Sequence, residues 1–261
     1  FPTDYIHTLN AATSFDLDGT YTQKYRTAMM SLLARATYSY DEKYLLSASI
    51  RTDGSSLFAD GHQWGYFPSV SAGWTVSNES FLRDVDPKIL SFLKVRASYG
   101  VNGNVNVLGG YRYRSSMNVT DYYPMGGQLL PTITPSDVLA NPSLEWEESK
   151  QFDLGIDARF LNNRLSFTMD FFNKNTTIST GTTSVTRNVG LVNNHGFEFE
   201  LGWQDQVGEF SYSVNANLAT LKTRVKELEG DRIWSGDMVV FDVDKPVWSY
   251  YGWKYLGVNA E

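Results

Sequence analysis

Along most of this chain apolar and polar side chains alternate with a period of two. Ala28, Met30, Leu32, Ala34, Ala36 and Tyr38 alternate with Met29, Ser31, Leu33, Arg35, Thr37 and Ser39. The same alternation returns in Tyr44–Arg51, Ser69–Val76, Leu93–Tyr99, Gln151–Phe160 and Leu165–Phe171. It continues in Phe197–Trp203 and Phe210–Leu218, and less regularly in the aromatic run Trp248–Tyr255. Successive side chains of a strand point to opposite faces, so each run predicts a strand with one apolar and one polar face. Helical spacing is not sustained anywhere; at most a short turn fits near Glu79–Leu90. The fold class is therefore all-β with antiparallel strands.

The links between these runs alternate in length. Short links are expected at Asp41–Lys43, Leu161–Arg164 and Gln204–Glu209, and a medium one at Asn78–Ser91. Long polar links are expected at 53–63, 101–143, 173–188 and 226–246. Followed up and down, all long links fall at one end and the short ones at the other. An outer-membrane barrel is built that way, with short periplasmic turns and long external loops. The polar face carries ions as well, among them Arg35, Arg51, Lys94, Arg96, Asp153, Asp157, Arg159, Asp170, Glu198 and Glu200. In a wide barrel that face lines a wet lumen and the apolar face meets lipid. Aromatics near strand ends, such as Tyr38, Tyr40, Tyr44, Trp74, Tyr99, Phe160 and Trp203, suit interfacial girdles. A soluble β-sandwich with one solvated face, secreted and binding carbohydrate, is the alternative that periodicity leaves open, with a passive porin-type barrel as a third reading.

Composition narrows the chemistry. A net charge of −7 and no basic stripe exclude a nucleic-acid partner. Cysteine is absent, which removes disulfide scaffolds, thiolate metal sites and cysteine nucleophiles. No apolar run is long enough for a transmembrane helix. His7, His62 and His195 lack metal-ligand spacing, and Asp16-Leu17-Asp18-Gly19 lacks the downstream glutamate of a calcium loop. No nucleophile elbow, P-loop or dinucleotide fingerprint occurs, so no enzyme, cofactor or metal is expected. Carboxylate pairs such as Asp153/Asp157 and Glu198/Glu200 share their stripe with Arg and Lys, which points to a charge-balanced wall. The candidate ligand contacts are the loop aromatics Tyr111, Tyr113, Tyr122, Tyr123 and Trp234, which either stack on a sugar or peptide or pack the loop onto itself.

Several blocks carry a family resemblance. Arg51-Thr-Asp-Gly-Ser-Ser-Leu-Phe58 and Trp64-Gly-Tyr-Phe-Pro-Ser-Val-Ser-Ala-Gly-Trp74 are followed by Leu93-Lys-Val-Arg-Ala-Ser-Tyr-Gly-Val-Asn-Gly-Asn104 and Asn141-Pro-Ser-Leu-Glu-Trp-Glu147. Then come Leu161-Asn-Asn-Arg-Leu165, Asn194-His-Gly-Phe-Glu-Phe199 and Tyr250-Tyr-Gly-Trp-Lys-Tyr-Leu-Gly257. In wording and order these resemble SusC/RagA-type TonB-dependent outer-membrane transporters. The resemblance implies an antiparallel transmembrane β-barrel of about 22 strands, plugged by an N-terminal domain. About nine strands are expected here, roughly at 25–40, 44–52, 65–77, 92–100, 145–160, 164–173, 189–203, 210–225 and 247–257. It further implies location in the outer membrane of Bacteroidetes-type bacteria and import of oligosaccharides, or of peptides in the RagA branch. A SusD-like surface lipoprotein would act as a lid, and TonB–ExbB–ExbD would supply energy. Arg35, Arg51, Arg96, Asp153, Asp157 and Glu198 are expected to face the lumen and the plug. No plug, TonB box or final strands are read in this sequence, so it is expected to be part of a longer protein. None of its residues matches a family motif for substrate contact.

Overall fold

A computed structural model describes residues 26–82, 84–105, 111–135, 139–181, 186–229, 232–235 and 238–252. Residue 25 and residues 253–257 of the expected first and last strands lie outside these, as do His7 and Asp16–Gly19.

Tight left-handed turns and β-rich runs build the sheet in chain order. β1 (Met29–Tyr40) and β2 (Tyr44–Ser55) pair across Asp41 and Glu42, both at positive φ. Consecutive left-handed residues give the turn a twist that matches the flanking strands. β3 (Trp64–Thr75), β4 (Phe92–Asn104), β7 (Glu147–Phe160), β8 (Leu165–Gly181), β9 (Thr186–Val207) and β10 (Phe210–Ala219) extend the antiparallel meander. The turn from β7 to β8 again holds three positive-φ residues, Leu161, Asn162 and Asn163. Between β4 and β7 the chain leaves the sheet for a separate hairpin, β5 (Met117–Met125) and β6 (Gln128–Pro135), turning at Gly126-Gly127. β11 (Lys222–Leu228) also pairs with β9, and β12 (Ile233–Ser235), β13 (Val239–Phe241) and β14 (Ser249–Tyr250) form a small sheet of their own. Among the described residues there is no α-helix, only a 3-10 turn at Val76–Asn78, and β1 does not pair with β10 or β11. The main sheet is a single open layer.

Register decides the faces. Across neighbouring strands Leu46 lies opposite Ala72, Ala72 opposite Ala97, Ala97 opposite Leu154 and Leu154 opposite Phe171. Apolar rows therefore continue from strand to strand, and the residues between them form continuous polar rows. Among the described residues no second layer covers the apolar face: Leu32, Ile50, Val70, Leu154 and Leu201 are all exposed. Trp64 and Trp74 stand ten residues apart on that face of β3. Ten residues make about 33 Å of strand, which a tilt of about 40° projects to roughly 25 Å, the height of an outer-membrane apolar band.

Three expected links contain more structure than their polarity suggested. Residues 173–188, expected as a loop, are largely strand, because β8 runs on to Gly181 and β9 begins at Thr186. The long link after β4 holds the β5–β6 hairpin, and the link expected at 226–246 holds the end of β11 with β12 and β13. The strand expected at 210–225 is interrupted at Thr220-Leu221, although the register on β9 carries through from Ala219–Glu198 to Lys222–His195.

The only compact apolar core among the described residues sits where the long links meet. Phe58, Phe67, Val101, Leu144 and Trp146 are buried together, with Val105 against them. Trp146 packs on Phe58 at 5.2 Å and edge-on to Phe67 at 5.5 Å between ring centres, and its Nε1 donates to the Gln63 carbonyl at 3.1 Å. His62 and Glu145 bridge the same two links at 3.0 Å.

Candidate functional site: the polar face of the wall

The six ionic residues expected to face the lumen share one face. The register places Arg35 opposite Ser49, Arg51 opposite Phe67, Arg96 opposite Gly155, Asp153 opposite Ser98, Asp157 opposite Lys94 and Glu198 opposite Asp170. Each alternates with the apolar residues of its own strand.

The centre of this face is an ion-pair bridge over three strands. Arg96 on β4 donates through Nε to Asp157 on β7 at 3.1 Å and through Nη2 to Asp170 on β8 at 2.7 Å. To reach β8 its guanidinium must cross β7, and the residue it crosses is Gly155. A Cβ at Gly155 would overlap Asp170 Oδ1 and lie 2.7 Å from Arg96 Cζ. Glycine in mid-strand marks a close approach by a neighbour, and here the neighbour is a cation. Asp157 also accepts from Thr168 at 3.3 Å, while Asp153 accepts from Ser98 at 3.0 Å and Gln151 at 2.7 Å. With Arg96 39% exposed, the bridge is partly screened, and its geometric role in tying three strands exceeds its energetic one. Sequence reading placed Asp170 on this polar face but did not join it to Arg96, and it missed Gly155 as the gap; a lone glycine in a strand of alternating residues is the signal that could have linked them.

Near the long-link end Arg51 is held by Asp53, whose two carboxylate oxygens accept from Arg51 Nε at 2.9 and 2.8 Å. Asp53 is buried, whereas half of the Arg51 side chain is exposed. Arg35 donates to Ser47 at 3.3 Å.

At the short-link end two girdle aromatics share one acceptor. Tyr44 Oη and Trp74 Nε1 donate to Glu79 Oε1 at 2.6 and 3.1 Å. These hydrogen bonds, Tyr44's first, hold the Glu79 carboxyl below the usual glutamate range.

The loop aromatics do not converge. Tyr111 and Tyr113 clasp Arg114, whose guanidinium carbon lies 5.3 and 5.1 Å from the two ring centres. These two rings thus pack on their own segment, while the Tyr111 hydroxyl donates to the carbonyl of the distant Arg26, just before β1. Tyr123 stands exposed on β5, and the side chain of Tyr122 lies outside the described residues. Trp234 is half exposed and meets Tyr251 edge-on at 5.1 Å. Among the described residues there is no cluster of His, Asp and Glu able to hold a metal.

Comparison with known proteins agrees with this geometry. The family described as "TonB dependent receptor-like, beta-barrel" matches residues 1–257. TonB-dependent receptor P39 of Formosa agariphila is 31% identical over 99% of this chain and 25% of its own length. TonB-dependent receptor SusC of Bacteroides thetaiotaomicron is 31% identical over 78% of this chain and 21% of its own. The chain thus spans about a quarter of the length of these relatives. Among solved structures, the RagAB peptide importer in its open-open state superposes with a TM-score of 0.78 at 23% identity, over 94% of this chain and 27% of that one. The RagAB peptide transporter gives 0.74 at 22% identity, over 94% and 28%. The antiparallel strand order of the main sheet and the match over residues 1–257 agree: the chain belongs to the TonB-dependent receptor-like β-barrel family, among whose members are the relatives named P39 and SusC.

Proposed function

We propose that this chain forms part of the barrel wall of a transporter that imports oligosaccharides across the bacterial outer membrane, with peptides as the alternative cargo. The observation that carries the proposal is the two-faced single layer. Its apolar rows are left uncovered between aromatic rims, and its polar rows are tied by Arg96, Asp157 and Asp170. In hydrocarbon every backbone group must be paired, so such a wall works only within a closed barrel. The polar rows, with Arg35, Arg51, Arg96, Asp153, Asp157 and Glu198, would then line the lumen and anchor a plug. The long links would lie outside the cell, with Tyr123 and Trp234 as the candidate aromatics most open to cargo. A SusD-like lipoprotein would cover those links, and TonB–ExbB–ExbD would drive opening through other parts of the protein. These assignments follow the SusC kinship and the resemblance drawn from the sequence blocks.

The test is to extract the native protein from outer membranes in mild detergent and weigh the intact chain and any companion. A chain of roughly four times this length with a lipid-modified partner is expected, since this chain covers about a quarter of its relatives. Deleting the gene should then abolish growth on one glycan class while growth on peptides is unchanged. A lone water-soluble protein of 29.5 kDa would overturn the proposal.

A further inference from the structure

At the long-link end of the polar face lies a recess of about 280 Å³ that the ion-pair bridge does not use. Arg51, Asp53, Phe67, Asn102, Asn104 and Trp146 line it. Asp53 is only 5% exposed, so its charge must be matched within the protein, and Arg51 Nε supplies the match through both carboxylate oxygens. That contact uses the Nε edge alone. Nη2 makes only a long 3.4 Å contact with Ser31, so the Nη1–Nη2 edge of a guanidinium fixed in orientation is left for a second acceptor. A guanidinium fork matches a planar carboxylate with two parallel N–H···O bonds. Because Asp53 offsets the charge of Arg51, the site offers oriented N–H donors rather than net positive charge, which disfavours a phosphate dianion more than a monoanion. The amide of Asn102 adds a donor, and the Phe67 and Trp146 rings, fixed in the buried core, add flat apolar walls. Asn104 is turned back onto Glu147, donating to it at 3.5 Å.

We propose that this recess is a carboxylate subsite on the import path, in which Arg51 receives the carboxylate of the cargo and Asp53 acts as the positioning residue behind it. The proposal rests on the reading of the polar face as lumen. Two kinds of cargo carry such a group, an acidic sugar and a peptide terminus, and the experiment separates them.

Full-length protein, purified from outer membranes with its companion, would be titrated calorimetrically with two pairs of probes. One pair is trigalacturonate and its carboxyl-reduced neutral counterpart; the other is an uncharged-side-chain tripeptide with a free C-terminus and its C-terminal amide. In one pair the carboxylate form should bind at least about tenfold tighter, the worth of a charge-assisted fork. A preference in the first pair assigns an acidic sugar, and in the second a chain terminus. Arg51→Lys, which keeps the charge and loses the fork, and Arg51→Gln should both erase the preference. Equal affinity within both pairs, no binding of either carboxylate, or a preference retained in Arg51→Lys overturns the subsite. Outer-membrane fractionation and heat-modifiable gel mobility of the wild-type protein are read in parallel. Their failure would sink the barrel reading itself, whereas an inserted barrel without carboxylate preference would sink only the subsite.

Discussion

At Gly155 the absence of a side chain lets a cation on β4 reach a carboxylate on β8 across the strand between them. Gly155→Ala should break the Arg96–Asp170 contact and cost about 1–3 kcal/mol by overpacking, read as a lower melting temperature of the full-length protein in detergent. Gly196 is tighter, because the neighbour is backbone: a Cβ there would overlap the Thr220 carbonyl oxygen. At that point Thr220 takes over part of the ladder with its side chain. Its N–H donates to the Phe197 carbonyl at 2.8 Å, while its hydroxyl accepts from the Phe197 N–H at 3.0 Å. Gly196→Ala should therefore destabilise more than Gly155→Ala, and Thr220→Val should cost about 1 kcal/mol, the net worth of one hydrogen bond; equal melting of the three variants would contradict this ordering. Glu79 gives a pH response. Its carboxyl is held below the usual range in the folded protein, so its contribution is present above the ordinary glutamate pKa and is lost as pH falls through the lowered value. Acid titration should show a change in Trp74 emission below the normal carboxylate range, and Glu79→Gln should remove that change.

On the scale of whole strands, the two faces make opposite predictions. Arginine at Leu154 or Phe167, on the apolar rows, should cost about 2–4 kcal/mol near the bilayer midplane, while Ser71→Arg on the polar rows should cost far less. Unfolding of the reconstituted protein measures the difference, and equal tolerance on the two faces would falsify the membrane wall. The apolar rows were legible in the sequence because one face of each strand meets only apolar surroundings, which enforces strict alternation. Where a strand rises beyond that band, the pattern disappears. Above Phe171 and Phe197 the same rows become Asn173, Asn175, Asn193 and His195, with Asn193 donating to Asn173 at 2.6 Å and to Asn175 at 2.7 Å and its oxygen meeting His195 at 2.8 Å. Rich in asparagine and threonine on both faces, this part of β8 reads as a loop although it pairs with β9 throughout, with one bulge between Ile178 and Ser179. The candidate site was legible in part for a related reason. Arg96, Asp153 and Asp157 announce themselves by charge on alternating positions, whereas Phe58, Leu144 and Trp146 bring their part of the core from segments with no periodicity at all.

For the molecule as a whole, the sheet described here has a free edge at each side, and such edges are untenable in lipid. Expressed alone, these 261 residues should aggregate or stay unfolded in detergent, while the full-length chain should give a heat-resistant band on an unboiled gel. A discrete, heat-resistant species from the segment alone would contradict this. The hardest pairing for such a chain to find is β4 with β7, because the whole link 105–146 separates them. Closing a longer loop adds little to the entropic cost, so the danger there is pairing in the wrong place rather than failing to pair. A slip by one residue would turn every side chain to the wrong face and expose itself at once. A slip by two keeps lipid and lumen faces intact, and alternation is blind to it. Only one alignment sets Arg96 over the gap at Gly155 with Asp170 waiting beyond; two residues either way, Asp153 or Asp157 would fill that place. The glycine thus serves assembly as a proofreading key, telling the native alignment from its neighbours two residues away on either side at the step where the chain has the most freedom to choose wrongly.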